Sequence, residues 1–165
     1  MSATTNILGL SPTTTNLTSP AAFIAGNWAF AYLVLASRTP KQFLGLDHNV
    51  SPRQDLNKYG ADAVRSGKIT QAQLDQLQRL EAASANSTEG FILFTASVLF
   101  AVVAGVPEPL LTNACTTYTV ARMVYGAAYV FTSTSGWSQV RGVAWWVGNA
   151  SCLYLLWKGA TLNRL

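Results

Sequence analysis

The sequence predicts an all-α integral membrane protein built as a four-helix bundle. Half of its 165 residues are hydrophobic and only 11% are charged, whereas roughly 25% are charged in an ordinary soluble domain. No charged residue occurs in 1–37, 90–107, 123–140 or 142–157. Because a helix that crosses a bilayer needs about 20 mostly apolar residues, these uncharged runs predict four spans within a single domain, 1–165.

The first span is expected at about 19–37, the third at about 109–132 and the fourth at about 139–160. The apolar part of the second covers about 84–106, but its helix is expected to begin near residue 72, because "KITQAQLDQLQRLEAA" is a good helical sequence that Thr70 can cap. A soluble four-helix bundle is the alternative, and its helices should carry a polar stripe. "FILFTASVLFAVVAGV" and "VAWWVGNASCLYLLW" are apolar on nearly every side, which favours the membrane.

Basic residues set the predicted orientation. They concentrate before the apolar part of span two, at Arg38, Lys41, Arg53, Lys58, Arg65, Lys68 and Arg79. By the positive-inside rule the connection 38–71 is cytoplasmic and the N-terminus is lumenal, and we expect the endoplasmic reticulum as the location. Topology therefore explains the net charge of +4, and no nucleic-acid partner is expected. Cys115 and Cys152 lie within predicted spans and predict packing, and no cluster of Cys and His predicts a metal.

Polar residues converge on the predicted cytoplasmic ends of the spans. On span two, Asn86 lies about 20° and Glu89 about 80° from Arg79 around the helix, so the three share a face. Arg38 ends span one, and Arg141 opens span four. This convergence predicts a site near the cytoplasmic face.

Span three carries a polar and aromatic stripe. Tyr118, Arg122, Tyr125 and Tyr129 fall within about 60° of one another. Arg122 lies about 10 Å deeper than Tyr129, and a charge at that depth should face a partner or a wet cavity. We expect Glu89 to be that partner.

Together these groups suit an anionic, peptide-like ligand, since arginine forks bind carboxylates and a glutamate binds an ammonium group. A structural explanation stands beside this one. Polar residues in membrane helices often only hold neighbouring helices together, and tyrosines near the end of a span can be interfacial anchors.

"RLEAASANSTEGFILF" and "ARMVYGAAY" resemble the MAPEG family, the membrane-associated proteins in eicosanoid and glutathione metabolism that include microsomal glutathione transferases. The exit of span one, "VLASR", and the segment "NVSPRQDLNKYG" are similar to the family as well. The resemblance implies a homotrimer with glutathione sites between neighbouring subunits. It implies that glutathione is held by Arg38, Arg79, Asn86, Glu89, Arg122, Tyr125 and Tyr129, and that catalysis falls to Arg141 and Tyr129.

The sequence departs from the family at two places. Ala82 stands where the family commonly has a second arginine, and Arg141 follows Tyr129 by twelve residues, a longer interval than the family's. Three functions therefore stay open. They are a glutathione-dependent transferase or isomerase for a lipophilic substrate, a glutathione-independent enzyme that cyclises or isomerises a hydrophobic metabolite by acid–base catalysis, and a non-catalytic lipid-binding protein.

Overall fold

The computed structural model describes residues 17–132 and 135–162, with the backbone alone at positions 135 and 137. The predicted lumenal tail, 1–16, lies outside the described residues, as do positions 133–134 of the stretched interval before Arg141. The described part of the chain is helical and contains no strand, which confirms the predicted all-α class.

The helices follow one another with short connections, except in the long first one. Helix α1 (Thr18–Ala29) continues through a π-helical turn (Phe30–Val34), and the connection that follows contains α2 (Arg38–Phe43) and α3 (Asp55–Arg65). The remaining helices are α4 (Gln71–Val103), α5 (Glu108–Phe131) and α6 (Ser135–Leu162). The two helices in the connection were not predicted.

Two helical stretches in the described chain, Thr18–Phe43 and Gln71–Val103, are long and apolar enough to cross a membrane. The first contains the predicted span 19–37, and the second covers the predicted helix 72–106 except for its last three residues. Helices α5 and α6 overlap the third and fourth, whose assignment as spans stays a prediction. The early start of the second helix is confirmed, because Thr70 and Gln73 form a reciprocal capping box at the beginning of α4, which satisfies backbone donors that the first turn leaves without partners.

A tight turn places α4 and α5 side by side. Gly105 has φ of 72°, a left-handed conformation that glycine adopts without steric cost. Pro107 precedes α5 and a second proline stands in its first turn, where a missing N–H costs nothing. The chain therefore reverses direction between Val103 and Glu108 and returns antiparallel.

The core lies among α4, α5 and α6, and large apolar side chains also cover the outside. The fully buried members include Phe94, Val98, Cys115, Tyr118, Cys152 and Leu155. Outward-facing apolar residues include Ile92, Leu99, Met123, Trp146 and Trp157. Buried and exposed side chains of the bundle therefore differ in how closely they pack rather than in hydrophobicity. This is expected where hydrocarbon surrounds the helices.

Glycines permit the closest helix contacts. A Cβ at Gly126 would lie 3.0 Å from Phe30 Cζ of the π-helical turn, and one at Gly159 would lie 2.7 Å from Phe100 Cε1 of α4.

A buried lysine attaches the connection to α4. Lys41 is only 2% exposed, and its Nζ donates to Pro52 O at 2.5 Å and to Glu81 Oε1 at 2.7 Å. The buried carboxylate of Asp55 lies 4.0 Å from the same nitrogen. Asp55 also accepts a hydrogen bond from the backbone N–H of His48 at 3.1 Å. One cation thus joins three segments of the connection to the polar beginning of the long helix.

Replacing Lys41 by Met should therefore lower the free energy of unfolding by about 3 kcal/mol, because it leaves a buried carboxylate without its cation. Thermal unfolding of the detergent-solubilised protein measures the loss. Lys58→Met, at an exposed position, is the control and should change stability by less than about 0.5 kcal/mol. Equal effects of the two substitutions would show that Lys41 does not hold the connection.

Candidate functional site

The centre of the site is a buried arginine. Arg122 on α5 is 3% exposed, and its Nη2 donates to Asn86 O at 2.7 Å and to Ser87 Oγ at 3.2 Å. Its guanidinium carbon also lies 4.7 Å from the centre of the Tyr125 ring and 6.0 Å from that of Tyr118. These hydrogen bonds and cation–π contacts together replace the contacts with water that the guanidinium loses on burial.

The expected pairing of Arg122 with Glu89 is not formed: among the described residues the structure contains no ion pair between them. Glu89 is exposed. The next residue, Gly90, faces the arginine instead, since a Cβ there would lie 3.4 Å from Arg122 Cζ and 3.3 Å from Tyr118 Oη. One residue is a 100° rotation on a helix, so the Glu89 side chain is turned away from Arg122 and is exposed.

Rings and guanidinium groups continue from Arg122 in both directions. Towards the interior, Phe94 stacks on Tyr118 with ring centroids 4.1 Å apart. Towards the start of α6, Tyr125 and Tyr129 have centroids 5.3 Å apart. The Arg141 guanidinium then lies 4.4 Å from the centre of the Tyr129 ring. We call this set the aromatic–arginine column: Phe94, Tyr118, Arg122, Tyr125, Tyr129 and Arg141.

The column is rich in positive charge and poor in negative charge. Within the described residues, no carboxylate lies within 4.0 Å of a guanidinium nitrogen of Arg79, Arg122 or Arg141. Arg79 lies on α4 and is not a member of the column, and its Nε is buried without a hydrogen-bond partner among the described residues. Since a buried donor without a partner costs roughly 1–3 kcal/mol, an acceptor supplied from outside the chain would satisfy it. The arrangement is suited to an anion.

Arg38 belongs to a different contact. Its Nε lies 3.2 Å from Asp47 Oδ1, and its Nη2 lies 3.2 Å from Asp47 Oδ2 and 2.6 Å from Asn49 Oδ1. The hydrogen bond from Arg38 holds the pKa of the Asp47 carboxyl below its ordinary value. Arg38 is half-exposed and is fixed to the connection rather than joined to the column.

Asn86 contacts the column through its backbone. Its carbonyl accepts from Arg122, while its side-chain Nδ2 donates to Ala82 O at 3.1 Å. The amide oxygen is the part of the side chain that a ligand could use. Ala82 itself is half-buried at the position where the family commonly has an arginine.

The structure thus brings Arg122, Tyr125, Tyr129 and Arg141 together and adds partners that the sequence interpretation missed. Ser87 supplies a hydroxyl to the buried charge. Gly148 of α6 approaches the arginine stem, since a Cβ there would lie 3.7 Å from Arg122 Cδ. Gly90 and Gly148 were the sequence signal from which the packing around Arg122 could have been predicted, because a large side chain between helices needs small residues opposite it.

A helical bundle with membrane-length helices and a buried arginine column defines a membrane protein with a polar site inside it. The model of the MAPEG family matches residues 17–161. The chain therefore belongs to the MAPEG family, a family of membrane proteins. The chain matches no curated protein and no solved structure.

Gly90→Ala should destabilise the protein, because the added methyl group presses on Arg122 and Tyr118, which their contacts hold in place. Overpacking of this kind costs about 1–3 kcal/mol. Gly142→Ala in α6 is the matched control, since a Cβ there meets nothing within 4 Å, and it should gain about 0.5–1 kcal/mol from helix propensity. Thermal unfolding in detergent measures both, and a gain in the Gly90 variant equal to the control's would contradict the close packing around Arg122.

Proposed function

We propose that the protein is a membrane-embedded, glutathione-dependent transferase or isomerase that acts on a lipophilic substrate. The observation that carries the proposal is that three arginines have no carboxylate within 4.0 Å among the described residues: Arg79, Arg122 and Arg141. Membership of the family in eicosanoid and glutathione metabolism supports glutathione as the anion.

The residues fit glutathione by charge. The unpartnered Nε of Arg79 and the buried guanidinium of Arg122 suit its carboxylates, because arginine binds carboxylates with two parallel hydrogen bonds. The exposed carboxylate of Glu89 suits its ammonium group. The full proposed binding set is Arg38, Arg79, Asn86, Glu89, Arg122, Tyr125 and Tyr129.

Glutathione supplies a thiol as the nucleophile. Arg141 is the residue proposed to favour the deprotonated sulfur, since a neighbouring guanidinium stabilises a thiolate. The contact of Arg141 with the Tyr129 ring fixes the position of the charge. Tyr129 is proposed to donate the hydrogen of its hydroxyl to the sulfur or to a group of the substrate, as an acid–base residue can.

The proposed assembly is a homotrimer with sites between neighbouring subunits near the cytoplasmic face. Arg38 and Glu89 are accessible on the single chain, so both can contact a ligand shared with a second subunit. Lipophilic substrate would then reach the sulfur from the bilayer of the endoplasmic reticulum.

A glutathione-independent acid–base enzyme is the second candidate, and Ala82 favours it. The missing arginine removes one cation from the predicted ligand face, while Arg38 is already held by Asp47 and Asn49. Extraction without added thiols, followed by mass spectrometry of the bound small molecule, distinguishes the two. Recovered glutathione supports the first function, and a thiol-free metabolite supports the second.

Arg141→Gln should abolish the ultraviolet thiolate band that appears when glutathione is added to the detergent-solubilised trimer. Turnover with an electrophilic test substrate should fall about 100-fold, the usual order for removing one positioned electrostatic group. Arg65→Gln, on the exposed face of α3, is the control and should keep the band. A thiolate band of full intensity in the Arg141 variant would exclude this arginine as the stabilising group.

Ala82→Arg should tighten glutathione binding roughly tenfold, because a charge-assisted hydrogen bond contributes about 1.5–3 kcal/mol. Isothermal titration calorimetry of the solubilised protein measures the dissociation constant. Ala72→Arg adds the same charge at an exposed position near the start of α4 and should leave the constant unchanged. If both variants bind equally tightly, the gain reflects net charge and not the position of residue 82.

A further inference from the structure

Two large apolar side chains of the connection between α1 and α4 are almost fully exposed. Phe43, the last residue of α2, is 87% exposed, and Val50 in the loop before α3 is 96% exposed. Other apolar residues of the connection are buried, including Leu46, Leu56 and Ile69. The connection therefore has a core of its own and still leaves these two side chains outside it.

Three exposed cations of the connection have no carboxylate within 4.0 Å among the described residues. Each of its three aspartates is already engaged, since Asp47 pairs with Arg38, Asp55 with Lys41, and Asp62 with Arg65. Of the basic residues in 38–70, this leaves the positive charges of Arg53, Lys58 and Lys68 unbalanced within the described chain. An apolar pair beside three unbalanced cations is chemically complementary to an anionic amphiphile.

Two contacts join the parts of the connection that carry these residues. Lys68 Nζ donates to Gly45 O at 2.6 Å, two residues beyond Phe43. The His48 ring stacks on Tyr59 with centroids 3.9 Å apart, which joins the loop that carries Val50 to the helix that carries Lys58. We call this set the connection surface: Phe43, Val50, Arg53, Lys58 and Lys68.

We propose that the connection surface docks on the headgroup layer of an anionic bilayer. Phe43 ends the helical stretch Thr18–Phe43 and lies six residues after the predicted end of span one at 37, so the surface begins close to the predicted membrane boundary. Phe43 and Val50 insert at the level of the acyl boundary, as apolar side chains of interfacial segments do. Arg53, Lys58 and Lys68 bind lipid phosphate and carboxylate groups, an attraction that falls off within a Debye length.

Spin labels on the full-length protein in nanodiscs test the docking. Labels are placed at Phe43→Cys and Val50→Cys, with Gln76→Cys on the exposed polar part of α4 as the control. The native Cys115 and Cys152 are buried and can be replaced by Ala if they react. Collision rates with oxygen and with a water-soluble nickel chelate are then compared in phosphatidylcholine discs with and without phosphatidylserine.

The labels at 43 and 50 should collide more with oxygen and less with nickel when phosphatidylserine is present, while the label at 76 stays aqueous. Arg53→Gln with Lys58→Gln should remove most of this dependence on anionic lipid. Asp62→Asn with Arg65→Gln, which leaves net charge unchanged, should preserve it. Three outcomes would each overturn the proposal. The labels at 43 and 50 could stay aqueous in every lipid, or their collision rates could be independent of lipid charge. The third outcome is dipolar coupling that shows contact of the labels with a second copy of the chain.

Discussion

Burial of the Arg122 guanidinium determines how α4, α5 and α6 approach one another. A charge at mid-helix costs roughly 2.5–3.5 kcal/mol on insertion scales, so each helix must contribute something to it. Helix α4 gives the Asn86 carbonyl and the Ser87 hydroxyl, and α5 gives the faces of two tyrosines. Helix α6 contributes only space, at Gly148. Interhelical hydrogen bonds and close packing hold membrane helices together, and here the Arg122 side chain takes part in both.

The same arginine links packing to the proposed chemistry. Its hydrogen bonds in the described part of the chain go to neutral acceptors, so they do not neutralise its charge. The Tyr125 and Tyr129 rings connect it to the second guanidinium, that of Arg141. Because electrostatic interactions are stronger where water is excluded, a ligand anion would experience both charges. The packing of the bundle and the proposed recognition of an anion thus involve the same cation, which has no carboxylate partner among the described residues.

Helical periodicity predicted a large part of this arrangement. The stripe of Arg122, Tyr125 and Tyr129 on span three follows from the 100° rotation per residue, and the structure places these side chains in contact. The partner of the arginine could not be read in the same way. Spacing put Glu89 within 80° of the expected face, but helix packing selected Gly90 as the facing residue, because only a small residue leaves room for a guanidinium. Helical periodicity predicts which residues share a face of one helix. It does not predict how the neighbouring helix is rotated about its own axis.

The connection was the least predictable part for a related reason. Its basic residues indicated topology, but charge counting does not distinguish a cation that is buried from one that is exposed. Lys41 is enclosed between Pro52 O and Glu81, whereas Lys58 is exposed. The Lys41 side chain is held in place because Asp55, fourteen residues further along the chain, supplies a buried carboxylate. Only the tertiary fold brings these two residues together. Arg53, Lys58 and Lys68 have no carboxylate partner among the described residues, so one basic segment contains both a buried structural cation and exposed unpaired ones.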